Sequence, residues 1–345
     1  MSGPIRVLLV GFGLAGEFFH APLLRRTEGL TIAGVVTSAV NKAHAALPGV
    51  PVFPDAATAY REAGADLAVI AAPTAQHASL ATAALEAGLH AVVDKPFTTT
   101  LAEAEALANL AHTRGRLLSV FQNRRWDADF LEVCRLVRGG TLGRIAQFES
   151  RYDRFRPQVV NRWRERSGPG AGLWFDLGAH LLDQAMLLFG KPRAIWADLA
   201  IQRAGGETDD SFYALLRYPD GLRVVLQGGS LLADHGLRFA VHGTEGSYVK
   251  HGLDTQAQAM RGGKGPGDAG WGVDPVPGTL TLADGRKTEA LPASPGAYET
   301  FYAGVRDAIR NGGDGPVPLR KVLDCMAVLE AAIASSERRA EVVLD

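Results

Sequence analysis

Cysteine is nearly absent from this chain: Cys134 and Cys325 are the only two among 345 residues. They lie far apart and without metal or redox spacing. That excludes a disulfide framework and a cysteine-held metal, and leaves them as small buried apolar groups in a reducing compartment. Net charge is lacking too. With 36 basic and 37 acidic residues the balance is −1, which removes the electrostatic case for a nucleic acid or an anionic membrane as partner. No apolar run approaches the roughly 20 residues needed to span a bilayer. The opening MSGPIRVLLVGFG lacks a signal peptide's layout, because its apolar run is short and feeds directly into a glycine cluster. No internal repeat is visible. The expectation is a cytoplasmic protein of two domains, since this length exceeds what one core usually serves.

What the chain does have is glycine, 40 residues of it, and the first cluster is the informative one. VLLV at 7–10 runs into Gly11, Gly13 and Gly16 with the spacing G-x-G-x-x-G. After a predicted strand and before a helix, that spacing is a dinucleotide-binding turn. Gly11 permits the tight turn, Gly13 lets the backbone approach a pyrophosphate, and Gly16 lets helix pack on strand. The first free amides of the helix then face the phosphates, where the helix dipole favours negative charge. The expected contacts are Gly11, Phe12, Gly13, Leu14, Ala15 and Gly16.

Strands are expected at Val7–Val10, Thr31–Val36, Leu67–Ala72, His90–Val93 and Leu117–Phe121, with Ala-rich helices near 16–26, 56–63, 77–87 and 101–114 between them. Such alternation implies right-handed βαβ units and a parallel sheet covered on both faces. After about residue 123 the pattern changes. A helix near 127–138 precedes strand-like runs at 145–155, 194–202, 209–217, 222–231 and 237–250. One helix interrupts at 175–189, and helices return at 296–311 and 319–337. Tight turns such as Pro219-Asp220-Gly221 point to a mostly antiparallel open sheet. The α/β reading is therefore a Rossmann nucleotide-binding domain over 1–123 and an α+β substrate-binding and oligomerisation domain over 124–345. The Gly-rich stretch 261–272 reads as a mobile surface loop, a lid being the alternative.

In a doubly wound sheet, ligands bind outside the carboxyl ends of the strands. Ala72, Pro73, Thr74, His77, Asp94, Lys95 and Asn123 are expected to line the same crevice as the glycine turn. Pro96 disfavours helical backbone at Lys95 and stiffens its turn. A lysine there can hydrogen-bond a substrate oxygen, although a solvated lysine is the commoner outcome. On the second-domain helix, Asp176 and His180 are four residues apart and share a face, with Asp183 nearby. A histidine beside a carboxylate suits a general base. A helix-capping Asp176, a satisfied helix-face His180 and a metal site of Asp176, His180 and Asp183 compete with that reading, and spacing alone favours the cap.

Four ordered segments carry a resemblance: GFGLAGEFFHAPLL at 11–24, DKPFTTT at 94–100, FQNRRWDADF at 121–130 and GLWFDLGAHLLDQ at 172–184. Together they resemble the glucose–fructose oxidoreductase/inositol 2-dehydrogenase (Gfo/Idh/MocA) family across essentially the whole chain. His20-Ala21-Pro22 and RYDRFRP at 151–157 further resemble the branch holding NADP-dependent scyllo-inositol dehydrogenases. The resemblance implies that Lys95, Asp176 and His180 face the nicotinamide and are the catalytic residues, with Asp94 in place of the family's usual glutamate. It implies reversible hydride transfer with a cyclic polyol or sugar. His180 would take the hydroxyl proton, Lys95 would stabilise the alkoxide and Asp176 would orient the substrate; which of Lys95 and His180 is the primary base stays open.

No acid follows the second strand in Val36-Thr37-Ser38-Ala39-Val40-Asn41-Lys42, so nothing there repels a 2′-phosphate. Thr37, Ser38 and Lys42 are the expected contacts, and NADP is favoured over NAD. The arginines at 151, 154, 156, 162, 164 and 166 read as a solvated face or interface ion pairs rather than an anion site. Trp163 and Trp174 offer flat faces to a sugar ring, with core packing an equal alternative. Val224 and Leu226 are expected on an apolar sheet face that a second copy covers, giving a homodimer or homotetramer. A non-catalytic nucleotide-binding sugar sensor of the same fold is the alternative function; the joint presence of Lys95, Asp176 and His180 argues against it.

Overall fold

The structure, a computed structural model, describes residues 3–234 and 236–344. It divides into two compact units. The first takes the chain through Asn123 and adds Gln256–Trp271 and Ala297–Leu323; the second takes Arg124–Thr255, Gly272–Gly296 and the chain from Asp324 onward. Where the sequence suggested a single cut at 123/124, two later segments rejoin the first unit.

In the first unit, β1 (Ile5–Val10), β2 (Leu30–Val36), β3 (Val52–Phe53), β4 (Leu67–Ile70), β5 (His90–Val93) and β6 (Leu118–Val120) form one sheet in the order β3-β2-β1-β4-β5-β6. Every pairing is parallel. Leu8 and Leu9 point to opposite faces and both are fully buried, which is why these strands read as unbroken apolar runs. Between the strands run α1 (Ala21–Arg26), α2 (Val40–Ala46), α3 (Ala56–Glu62), α4 (His77–Glu86) and α5 (Leu101–Thr113). The sequence reading had neither β3 nor α2, which are two and seven residues long. The strand order reverses between β1 and β4, so their carboxyl ends open the crevice that such sheets use for ligands. Beyond β5, a capping box fixes the start of α5: Glu103 N–H donates to Thr100 Oγ1, and the Glu103 carboxylate accepts from the Thr100 amide.

The second unit carries α6 (Ala128–Arg138), β7 (Ile145–Arg151), α7 (Ala179–Phe189), β8 (Ala194–Ala200), β9 (Ser211–Arg217), β10 (Arg223–Gly229), β11 (Leu237–Gly243), β12 (Gly246–His251), β13 (Gly278–Leu282), β14 (Lys287–Ala290) and β15 (Val342–Val343). The sheet order is β14-β13-β12-β11-β7-β10-β9-β8-β15. Within this sheet, among the described strands, only β7 and β10 pair in parallel; the others are antiparallel. The run expected as one strand over 237–250 is a hairpin, folded back between Gly243 and Gly246 into β11 and β12. Helices α8 (Gln256–Arg261), α9 (Glu299–Asn311) and α10 (Leu319–Arg338) complete the chain. No helix among the described residues is long and apolar enough to cross a membrane.

One expectation is corrected here. Val224 and Leu226 are fully buried in the second unit's core with Phe212, Leu216 and Trp174, so they offer nothing to a second copy. The opposite sheet face carries Trp196 and Tyr213, which touch edge to face and are 37 % and 41 % exposed. The stretch expected as a surface loop makes three contacts within the first unit. Arg26 donates to Pro266 O at 2.7 Å and pairs with Asp268 at 2.6 Å, and the Trp271 indole donates to Glu299 at 3.0 Å.

Candidate active site

The turn after β1 has the geometry its glycines foretell. Gly11 sits at φ +101°, and a Cβ there would lie 2.6 Å from Ala71 O. A Cβ on Gly16 would collide with the Gly11 carbonyl, whereas one on Gly13 would meet nothing within 4 Å. The first and third glycines are thus consumed by packing, and the second leaves its surroundings open for a ligand. Phe12 is buried, Leu14 is 51 % exposed, and the helix begun at Leu14 opens through wide π-type turns at Gly16–His20 before α1. This cradle fits a dinucleotide pyrophosphate.

After β2, Thr37 Oγ1 accepts from the Ala39 amide at 3.0 Å, and Ser38 is exposed. Lys42 does not stand alone: its ammonium pairs with Glu17 at 2.6 Å and lies 5.8 Å from the Phe12 ring centre. A carboxylate therefore sits close to the expected 2′-phosphate position, supplied by the glycine-turn helix rather than by the end of β2.

The turns after β4 and β5 are stitched together. His77 is buried, with Nε2 at 2.9 Å from Ala72 O and Nδ1 at 3.0 Å from Pro96 O. Expected as a cofactor contact, its ring instead lies between the Ala72 and Pro96 carbonyls, within hydrogen-bond distance of both. Thr74 and Asn123 are also buried at strand ends, while Pro73 is exposed. The Lys95–Pro96 peptide is cis, and Lys95 is half-buried.

Asp94 turns inward. Its Oδ1 accepts the Lys95 amide at 2.8 Å, and its Oδ2 lies 3.8 Å from His20 Nε2. His20 is wholly buried against Phe121, and its Nδ1 lies 2.6 Å from the Tyr302 hydroxyl of α9. Burial opposes the Asp94 charge, but the hydrogen bond and charge interaction with His20, then the neighbouring Lys95 and His77, outweigh it and hold the carboxyl at about 2. Burial, with the Asp94 charge, raises the Tyr302 phenol well above its usual value, so it stays a neutral hydroxyl. Asp94 is thus a fixed negative charge behind the lysine rather than a surface contact for a ligand. Tyr302 carried no sequence signal, being 282 residues from His20.

In the second unit, Asp176 lies in a π-type turn, Trp174–Gly178, directly before α7. It does not cap the helix. The capping role falls to Asp209, whose Oδ2 accepts the Trp174 amide at 2.7 Å; burial raises the Asp209 carboxyl to about 6. Asp176 instead faces Arg154 Nη2 and Arg164 Nε, each at 3.6 Å. These arginines, with Arg156, Arg162 and Arg203, line a pocket of about 50 Å³ beside Asp176. The arginine series, expected on a solvated face or in interface ion pairs, converges here in ion pairs, apart from Arg151, which pairs with Glu149, and Arg166, which holds Asn161. His180 is 5 % exposed on α7. That helix is clamped by Arg125, which grips both Asp183 oxygens at 2.8 and 2.6 Å, and by Gln184, which donates to Arg124 O and accepts from Arg238. Asp183 is thereby committed to an arginine. Among the described residues no three His, Cys, Asp or Glu side chains gather as a metal site. Trp163 stacks under the Arg164 guanidinium at 4.4 Å. Trp174 belongs to the core, its indole donating to Leu329 O at 3.1 Å.

Comparison with known proteins agrees with the two-part fold. Residues 5–122 match the model of an oxidoreductase family's NAD-binding Rossmann fold, and residues 135–344 match that family's C-terminal alpha/beta domain. The chain is 46 % identical to the uncharacterized oxidoreductase YdgJ of Escherichia coli, over 100 % of both chains. It is 37 % identical to the scyllo-inositol 2-dehydrogenase (NADP(+)) IolW of Bacillus subtilis, over 99 % of this chain and 96 % of that one. A solved oxidoreductase structure from Klebsiella pneumoniae superposes with a TM-score of 0.93 at 41 % identity, covering 100 % of this chain and 96 % of that one.

Proposed function

The chain belongs to the Gfo/Idh/MocA oxidoreductase family, and from that premise we propose that it is an NAD(P)-dependent dehydrogenase acting on a secondary alcohol of a cyclic polyol or sugar. The observation that carries the reading is the first unit's strand-end architecture: an open Gly13 in a turn otherwise closed by packing, with Lys95 at the end of a strand of the same parallel sheet. When bound there, a nicotinamide supplies the two-electron acceptor that the protein itself lacks. His180 accepts the hydroxyl proton. The Lys95 ammonium hydrogen-bonds the substrate oxygen and stabilises its developing negative charge. Asp176 orients the substrate.

NADP is the preferred cofactor in this reading. The end of β2 carries no acid, Ser38 is exposed, and Lys42, paired with Glu17 in the structure, offers its cation to the 2′-phosphate. The name of the Bacillus relative points the same way. A homodimer through the sheet face bearing Trp196 and Tyr213 belongs to the same reading.

The test is absorbance at 340 nm with NADP and with NAD against inositols and aldohexoses, with nucleotide binding followed by calorimetry. Turnover is expected with NADP. Lys95→Ala and His180→Ala are each expected to lower kcat by roughly 10²–10⁴-fold, the range for lost acid–base catalysis, while nucleotide Kd moves little. Tight nucleotide binding with no turnover of any hydroxylated ring overturns the dehydrogenase reading in favour of a sensor.

A further inference from the structure

The pocket beside Asp176 contains two kinds of arginine. Arg203 is fully engaged, with Nε at 2.9 Å from Asp210 and Nη1 at 3.2 Å from Glu165, and Arg162 Nε donates to Glu165 at 3.0 Å. Arg154 and Arg164 are different. Each faces Asp176 at 3.6 Å, beyond hydrogen-bond reach, and among the described residues neither guanidinium donates a hydrogen bond to the protein. Their flat faces are occupied: Arg154 stacks 5.2 Å from the Tyr152 ring centre and Arg164 at 4.4 Å from that of Trp163. Stacking fixes the planes of the two forks and leaves their N–H edges without protein acceptors.

Charge and size narrow what such edges would take. Five arginines line the pocket against four carboxylates, those of Glu165, Asp176, Asp209 and Asp210, a formal surplus of one positive charge. A guanidinium fork matches a carboxylate or phosphate in geometry. A single carboxylate cancels the surplus, whereas a phosphate dianion overshoots it next to Asp176. The cavity of about 50 Å³ exceeds the roughly 10–15 Å³ that a single water needs on the same measure, so it has room for a carboxylate-sized group.

We propose that this pocket is a carboxylate subsite, held by Arg154 and Arg164, and that the substrate is a polyhydroxy acid. The assignment of the substrate rests on the dehydrogenase reading above; the assignment of the subsite does not. With its carboxylate placed there, a sugar acid presents its hydroxyls to the side of the pocket that carries Asp176.

The experiment compares matched pairs, hexuronates and aldonates against the corresponding hexoses and hexitols, with hexose 6-phosphates as a third arm. Binding to the full chain is measured by calorimetry, and turnover at 340 nm with NADP and NAD. The expected result is binding of at least one acid 10-fold or more tighter than its neutral partner, with kcat/KM following. Arg154→Gln and Arg164→Gln are expected to raise the Kd for the acid at least 10-fold more than the Kd for its neutral partner, with Arg164→Lys intermediate. Neutral sugars that bind as well as every acid overturn the subsite, and this wild-type comparison stands even where a variant fails to fold. Preference for the 6-phosphates overturns the carboxylate assignment. Arginine-dependent binding of acids without turnover keeps the subsite and refutes the dehydrogenase reading instead.

Discussion

Replacing Asp94 by asparagine isolates one charge in the strand-end network and has a calculable consequence. The amide side chain keeps an oxygen for the Lys95 N–H, which Asp94 now accepts at 2.8 Å, so the loss is the charge facing His20 at 3.8 Å. The Asp94 carboxyl is held at about 2 rather than 3.8. At roughly 1.4 kcal/mol per pH unit, that depression contributes about 2 kcal/mol to the folded state at neutral pH. The sign is fixed by the direction. A carboxyl depressed on folding contributes fully above its unfolded value and loses its contribution as pH falls through its folded value. Asp94→Asn is therefore expected to be less stable than wild type by about 2 kcal/mol from pH 7 down to about 5. The gap should shrink to roughly half by about pH 3. In urea, with m of about 2 kcal/mol/M, this is a midpoint shift of about 1 M at pH 7. The measurement is a set of urea titrations of both proteins across pH 3–7, followed by circular dichroism. A gap that is absent at pH 7, or that widens on acidification, refutes the claim that His20 and its neighbours hold Asp94 charged.

Asp209 is expected to show the opposite sign. Its carboxyl is raised by burial to about 6, so wild type should gain stability relative to Asp209→Asn as pH falls from 7 to 4. The variant should be the more stable by up to about 3 kcal/mol at pH 7, read from the same titrations. Lys42→Met is expected to raise the Kd for NADP about 10-fold, roughly 1.4 kcal/mol, with NAD within about 2-fold; equal effects on both nucleotides would remove Lys42 from the 2′-phosphate contact.

The legible parts of this fold were those whose cause is local. β1, β4 and β5 announced themselves because burial on both faces demands unbroken apolar runs, and Gly11 and Gly16 because no side chain fits where they sit. β3, at two residues, was too short to impose a period. The β11–β12 hairpin was marked by Gly243 and Gly246 but masked by the apolar residues on either side of them. The site divides the same way. Lys95, Asp176 and His180 stood in recognisable segments. The pairings that define their surroundings join distant residues: Tyr302 with His20, Glu17 with Lys42, Asp209 with the Trp174 amide. The convergence of Arg154 and Arg164 was hidden for a geometric reason. A strand alternates its side chains, but β7 ends at Arg151, and the irregular chain beyond it turns Arg154 and Arg164 toward the same carboxylate.

The return of residues 256–271 and 297–323 to the first unit makes the order of synthesis matter. At roughly 5–20 residues per second, a ribosome takes about 10–40 s to go from residue 123 to residue 323. For that interval the parallel sheet exists without α9, and His20 waits without Tyr302. The earliest-made part of the crevice is thus among the last to be finished, and a nascent chain holds its glycine turn ready well before the structure around it is complete.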